Sequence, residues 1–230
     1  MPDRIAFLQH SASDVPGLLG EFAADLGLAV AVHRADHHPA ALPVPGSFDL
    51  LVVLGSIESV YDDGVPWIAP ERATVAGAVE AGVPVLGVCF GAQLLADVLG
   101  GSVARGDRTE IGWTRIRTSD SGLVATGPWL NWHDDVINCP PDAEVVATSD
   151  LALQAFVAGP HTGVQFHPEV TVDVVLGWVD DARDGDGVAD ADVTALLSGF
   201  DAGGRGTEAG ARALFRGFLD RARRPGRRLA

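Results

Sequence analysis

Apolar and polar positions along the first hundred residues follow two periods in turn. Arg4–Gln9 (RIAFLQ) and Ala29–His33 are apolar runs of strand length. Leu50–Leu54 (LLVVL) is a continuous apolar run, the pattern of a strand buried on both faces. Val15–Leu26 carries its apolar residues at helical spacing, and Trp67–Ala81 does the same behind Pro66 until Gly82–Pro84 breaks it. Val85–Val88 is another buried strand. Ala92–Leu99 is a helix that stops at Gly100–Gly101. Strand and helix in alternation predict right-handed crossovers. The fold class is therefore α/β, three layers with a mostly parallel central sheet and helices on both faces.

The middle of the chain changes character. Ile111–Arg117, Glu144–Thr148, Leu153–Val157 and Gly163–Phe166 are short β candidates separated by Gly, Pro and Asp, and they predict strands that extend the sheet. Asp180–Asp192 is acidic and contains glycine, the composition of a loop. Its DARDGDGVAD resembles a calcium loop, but Val188 and Ala189 stand where an oxygen ligand and Gly belong. Gly206–Ala222 predicts a closing helix, followed by a basic tail over 221–230 read as a frayed terminus. No internal repeat is visible, and residues 1–230 read as one domain.

Composition narrows the function. The 230 residues carry a net charge of −15, which disfavours nucleic acid and anionic membranes as partners. All 16 basic residues are arginine, so a P-loop lysine, a kinase-type lysine and a Schiff-base lysine are excluded. No apolar run reaches the roughly 18 residues of a membrane span, and the N-terminus lacks the apolar core of a signal peptide. The expected location is the cytoplasm. Two cysteines, Cys89 and Cys139, with no C-x-x-C pair give neither a disulfide framework nor a zinc site.

Pro84–Gln93 (PVLGVCFGAQ) is the stretch richest in chemistry. A buried strand runs through a Gly-flanked Cys into a helix, as in a nucleophile elbow. Gly87 and Gly91 allow close chain approach around Cys89. The helix N-terminus favours a thiolate at Cys89, and the Phe90 N–H is placed as an oxyanion donor. A thiol nucleophile needs a base. In Gly163–Val170 (GVQFHPEV), His167 and Glu169 are two apart and share one side of an extended chain, with Pro168 favouring that conformation. Glu169 would orient one ring nitrogen while the other faces Cys89.

GVCFGAQ and GVQFHPE together resemble the signature of class I, triad-type glutamine amidotransferases, over most of the chain. Leu51–Asp63 (LVVLGSIESVYDD), Glu110–Trp113 (EIGW) and Trp132–Asp135 (WHDD) are similar to the subgroup of the GMP synthetase glutaminase domain. The resemblance implies a flavodoxin-like fold, with Cys89 as nucleophile, His167 as base and Glu169 as orienting residue. It also implies Gln93 as a contact to substrate glutamine and a second oxyanion N–H from the Gly55–Ser56 turn. The implied activity is hydrolysis of the glutamine side-chain amide through a Cys thioester, feeding ammonia to a synthetase partner without metal or cofactor. The family commonly has Gly-Gly-Pro where this chain has Gly55-Ser56-Ile57, and often Gly where this chain has Asp134. The first change bears on the orientation of the oxyanion peptide and leaves open a hole formed only with a partner.

Two other functions fit the same residues. One is a γ-glutamyl hydrolase or peptidase, since the triad cleaves any γ-glutamyl amide. The other is an inactive homologue serving as a binding or regulatory subunit. Outside the motif, His33, His37 and His38 near Asp36 read as a solvated loop rather than a metal site. His10, at the end of the first strand, reads as structural, and Cys139 as an incidental thiol. Trp113, Trp129 and Trp132 are expected to pack beneath the mid-chain loops, with one of them able to flank the pocket.

Overall fold

The computed structural model describes residues 4–183 and 190–223. In chain order the elements are β1 (Arg4–Gln9), α1 (Gly17–Asp25), β2 (Ala29–Arg34), β3 (Leu50–Val53), α2 (Ile68–Glu80), β4 (Val85–Val88) and α3 (Phe90–Val98). There follow β5 (Ser102–Thr114), β6 (Arg117–Thr118), β7 (Trp129–Asn138), β8 (Glu144–Thr148), β9 (Leu153–Ala158), β10 (His161–Val164), α4 (Val172–Arg183) and α5 (Asp190–Ala222). The main sheet has the order β2-β1-β3-β4-β10-β9-β8-β6. Its β2-β1-β3-β4-β10 half is parallel, and β9, β8 and β6 continue it antiparallel.

The period of two in the central strands divides the core. Ile5 and Phe7 of β1 with Leu50 and Val52 of β3 meet Leu19 and Phe22 of α1 and Leu214, Phe215 and Phe218 of α5. Ala6, Leu8, Leu51 and Val53 point the other way, onto Ile68 and Val75 of α2 and Phe90 and Leu94 of α3. These are the three layers the alternation predicts. The carboxyl ends of β1, β3, β4 and β10 share one edge, where sites form in such sheets.

The second half departs from the sequence reading in five places. Ile111–Arg117 does not extend the main sheet. Its residues to Thr114 belong to β5, which pairs antiparallel with β7 in a separate two-stranded sheet, and only Arg117–Thr118 reaches the main sheet. β7 alternates buried and half-buried positions, but its inward side chains include Asn131, His133 and Asp135, so no apolar alternation marked it. Gly163–Phe166 shifts to His161–Val164, because the chain must bend after Val164 to bring His167 to the sheet edge.

α4 carried no strong sequence signal, since its first turn holds three valines and Gly177 follows. Thr171 opens it, its Oγ1 accepting from the Val174 N–H at 3.3 Å. Val174, Val175 and Val179 then pack against Leu130 and Leu196. The predicted loop therefore begins no earlier than the end of α4, and Asp190–Asp192 opens α5, a helix of 33 residues where only Gly206–Ala222 was expected. Most of the calcium-loop resemblance and most of the basic tail lie outside the described residues. Among the described residues no helix is long and apolar enough to cross a membrane.

Candidate active site

β4 ends at Val88 and α3 begins at Phe90, two residues earlier than its periodicity predicts, so Cys89 alone makes the turn. Its backbone lies at φ 51° and ψ −110°, a positive φ that an L residue adopts at a cost of about 1–3 kcal/mol. Hydrogen bonds on each side fix it. The Cys89 N–H donates to the Val164 carbonyl at 2.8 Å, the Gly91 N–H to that of Leu54 at 3.1 Å and the Gln93 N–H to that of Cys89 at 3.0 Å. A Cβ on Gly91 would collide with the Val53 carbonyl, and one on Gly87 with the Gly91 backbone. Gly91→Ala is therefore expected to destabilise the fold by at least the roughly 1–3 kcal/mol of an overpacked core, read as a lowered urea midpoint.

His167 and Glu169 arrive just beyond β10, the parallel neighbour of β4. The segment is bent rather than extended, yet the two side chains meet, His167 Nδ1 lying 2.7 Å from Glu169 Oε1. The His167 N–H donates to the Leu130 carbonyl at 2.9 Å, and the Glu169 carbonyl accepts from the Leu18 N–H at 2.9 Å. Burial disfavours a charged His167 ring. The Glu169 carboxylate, the Cys89 sulfur and hydrogen bonds to both outweigh it and hold the pKa well above 6.5. The Trp178 indole of α4 lies 4.7 Å from the ring and shields it.

The other candidates lie around this line. A Cβ built on Gly55 would stand 3.0 Å from His167 Cε1 and 3.6 Å from Cys89 Cβ, so the turn after β3 runs against the thiol and imidazole. Among the described residues neither the Ser56 N–H nor the Phe90 N–H has a protein acceptor, the latter being in the first helical turn, where no intrahelical partner exists. The Ser56 hydroxyl donates to Glu58. Gln93 is buried, its Nε2 donating to Gln165 Oε1 at 3.4 Å and the Asp135 carbonyl at 3.5 Å. Asp134 faces away, toward Arg105 at 3.0 Å and Thr109.

Gln165 and Trp178 went unnoticed in the sequence. Gln165 donates to Cys89 Sγ at 3.7 Å, and its spacing of two before His167 was the available signal. Trp178 could be placed only once α4 was known. Of the expected tryptophans, Trp129 stacks on Phe166 at 4.3 Å in the core and Trp113 donates to the Leu196 carbonyl at 2.7 Å. The Trp132 carbonyl flanks the pocket, 3.9 Å from Cys89 Sγ. Cys139 has none of these neighbours, and burial pushes its thiol up. Arg34 holds Asp36 with two bonds, at 2.8 and 2.6 Å, beside His37.

The profile of the family described as glutamine amidotransferase class-I matches residues 18–174, a span that contains the Cys89 turn, His167 and Glu169. The chain belongs to this family. Among curated amidotransferase relatives, a glutamine-hydrolyzing GMP synthase of Parafrankia sp. is 38% identical over 129 residues, covering 52% of this chain and 23% of that protein. A glutamine-hydrolyzing GMP synthase of Bordetella parapertussis is 30% identical over 190 residues, covering 74% of this chain and 34% of that protein. The chain thus matches between about a quarter and a third of these relatives' length. A crystal structure of a glutamine amidotransferase from Methylobacillus flagellatus superposes with a TM-score of 0.85 at 26% identity, covering 100% of this chain and 99% of that one. One from Thermotoga maritima gives a TM-score of 0.83 at 23% identity, covering 96% of this chain and 99% of that one, a likeness of fold.

Proposed function

We propose that this chain hydrolyses the side-chain amide of glutamine to glutamate and ammonia, with Cys89 as nucleophile, His167 as acid and base and Glu169 as the residue that orients it. The supporting observation is the buried line from thiol to imidazole to carboxylate beside two N–H groups without protein acceptors. The Cys89 thiolate attacks the amide carbon, and the oxyanion accepts from the Phe90 and Ser56 N–H groups. The His167 imidazolium gives its proton to the departing nitrogen, and the tetrahedral adduct collapses to a thioester and ammonia. Neutral His167 then takes a proton from water, whose oxygen attacks the thioester. The second collapse releases glutamate and returns the sulfur to Cys89. Gln93, fixed by Gln165 and the Asp135 carbonyl, is the contact for the substrate's polar end.

Ammonia is lost to water unless it is used at once, so the product calls for a synthetase partner, as the family resemblance implies. A single domain acting in the cytoplasm completes the reading. The test is ammonia and glutamate release from glutamine by the purified chain beside Cys89→Ser. Release that disappears in the variant is the expected result. Equal release by both chains overturns it, and so does a wild type that cleaves γ-glutamyl peptides while leaving glutamine intact.

A further inference from the structure

His10 is a buried titratable group that the reaction scheme leaves without a role. It follows β1 directly, and its ring stacks on Trp67 at 4.8 Å and meets Phe90 edge-on at 5.0 Å. Both ring nitrogens face acceptors. Nδ1 lies 2.7 Å from the Gly55 carbonyl oxygen, and Nε2 lies 2.9 Å from each oxygen of Glu71, whose side chain is fully buried on α2. A carbonyl and a carboxylate cannot donate, so both bonds are made only when both nitrogens carry protons. The ring is then an imidazolium held between Glu71 and a peptide of the oxyanion turn.

That peptide joins Gly55 to Ser56. In a trans peptide the carbonyl and the N–H point in opposite directions. With the Gly55 carbonyl drawn to His10, the Ser56 N–H is turned away from His10. The same Gly55 lies against Cys89 and His167. A flip of this one peptide would swap the groups, aiming a carbonyl oxygen where the oxyanion forms. The Gly-Ser-Ile sequence lacks the proline that would stiffen this turn.

We propose that His10, braced by Glu71, is a positioning residue that anchors the Gly55 carbonyl and so keeps the Ser56 N–H facing Cys89, preforming the oxyanion hole. It rests on the glutaminase reading and adds to it that the hole stands ready in the free chain. The charge state agrees with the geometry. Burial lowers the pKa of His10, but Glu71, the Gly55 carbonyl and Asp14 raise it to about 9. Glu71 faces the ring from α2, Asp14 from the segment after β1, and Trp67 and Phe90 present only uncharged rings.

Two double variants test this without leaving a buried charge unpaired. His10→Asn with Glu71→Gln keeps a donor one bond from Cγ, where Nδ1 was. His10→Leu with Glu71→Gln fills similar space without a donor. For glutamine hydrolysis the Leu pair is expected to lose about 10²-fold in kcat with KM within a few-fold, the scale of a lost oxyanion donor. The Asn pair should stay within tenfold of wild type. Alkylation of Cys89 by iodoacetamide, which forms no oxyanion, should proceed equally in all chains. Affinity for glutamate γ-semialdehyde, whose thiohemiacetal oxygen occupies the hole, should fall with kcat. Equal kcat in the two pairs overturns the proposal.

Nitrogen-15 NMR of the wild type tests it apart from activity. Protons on both His10 ring nitrogens at pH 7.5 are expected; an unprotonated Nδ1 overturns the anchoring and an unprotonated Nε2 overturns the bracing by Glu71, whether or not glutamine is cleaved. A wild type that shows both protons but no hydrolysis instead overturns the glutaminase reading.

Discussion

His167→Ala is expected to lower kcat for glutamine hydrolysis by about 10⁴, the upper range for loss of a positioned acid and base, with little change in KM. The ring does three things in the scheme. It stabilises the thiolate, protonates the leaving nitrogen and activates water. Each is lost with it, while the groups proposed to contact glutamine are untouched. Glu169→Gln leaves a ring of the same shape but removes the carboxylate 2.7 Å from Nδ1, and a fall of about 10²–10⁴ is expected. The two effects should not add. With no imidazole to orient, Glu169 has no further contribution, so the double variant should be no slower than His167→Ala. A double variant slower by the product of the two factors would mean that Glu169 acts independently of His167. The pH profile gives a second check. The carboxylate helps to raise the His167 pKa above 6.5, and the imidazolium is the form that protonates the leaving nitrogen. Removing the carboxylate must shift the alkaline limb of kcat/KM to lower pH.

Much of this site could be read before the fold was known because its parts lie in two short segments whose neighbours are constrained. Around Cys89, Gly87 and Gly91 are required by backbone contacts across the turn, so the spacing itself encodes the geometry. His167 and Glu169 lie two residues apart and meet through local chain direction alone. The parallel half of the sheet was equally plain, since strands buried on both faces leave apolar runs such as Leu50–Leu54. What escaped depends on long-range packing. β7 buries Asn131, His133 and Asp135, which look like surface residues in sequence. α4 presents Trp178 to His167 only because Val174 and Val175 find Leu130 across a gap of more than forty residues. His10 looked structural since neither Glu71, sixty-one residues away, nor the Gly55 carbonyl is signalled locally.

Glu71→Ala is expected to destabilise the folded chain by about 3–5 kcal/mol near pH 6.5, the range for removing one partner of a buried ion pair. The size follows from the surroundings. Both side chains of the pair are wholly inaccessible to solvent, so water cannot replace the lost carboxylate. The sign of the pH dependence is fixed by His10. Its pKa rises from 6.5 to about 9 on folding, so the folded state binds the ring proton more tightly than the unfolded chain. The stability this contributes is fully present below pH 6.5 and is lost as pH rises through about 9. A shift of that size corresponds to about 3 kcal/mol. In the wild type this portion should fade between pH 6.5 and 10. In Glu71→Ala it is largely missing from the start. The gap between the two chains should therefore narrow as pH rises. His167 also has a raised pKa, but it is the same in both chains and cancels in the difference. Urea unfolding at pH 6.5 and pH 9.5 reads the gap directly, with equal m-values required for the comparison. A gap that stays constant would show that Glu71 stabilises the fold by packing alone and that His10 is neutral beside it. A gap that narrows would show that the charge on His10 is built into the folded state.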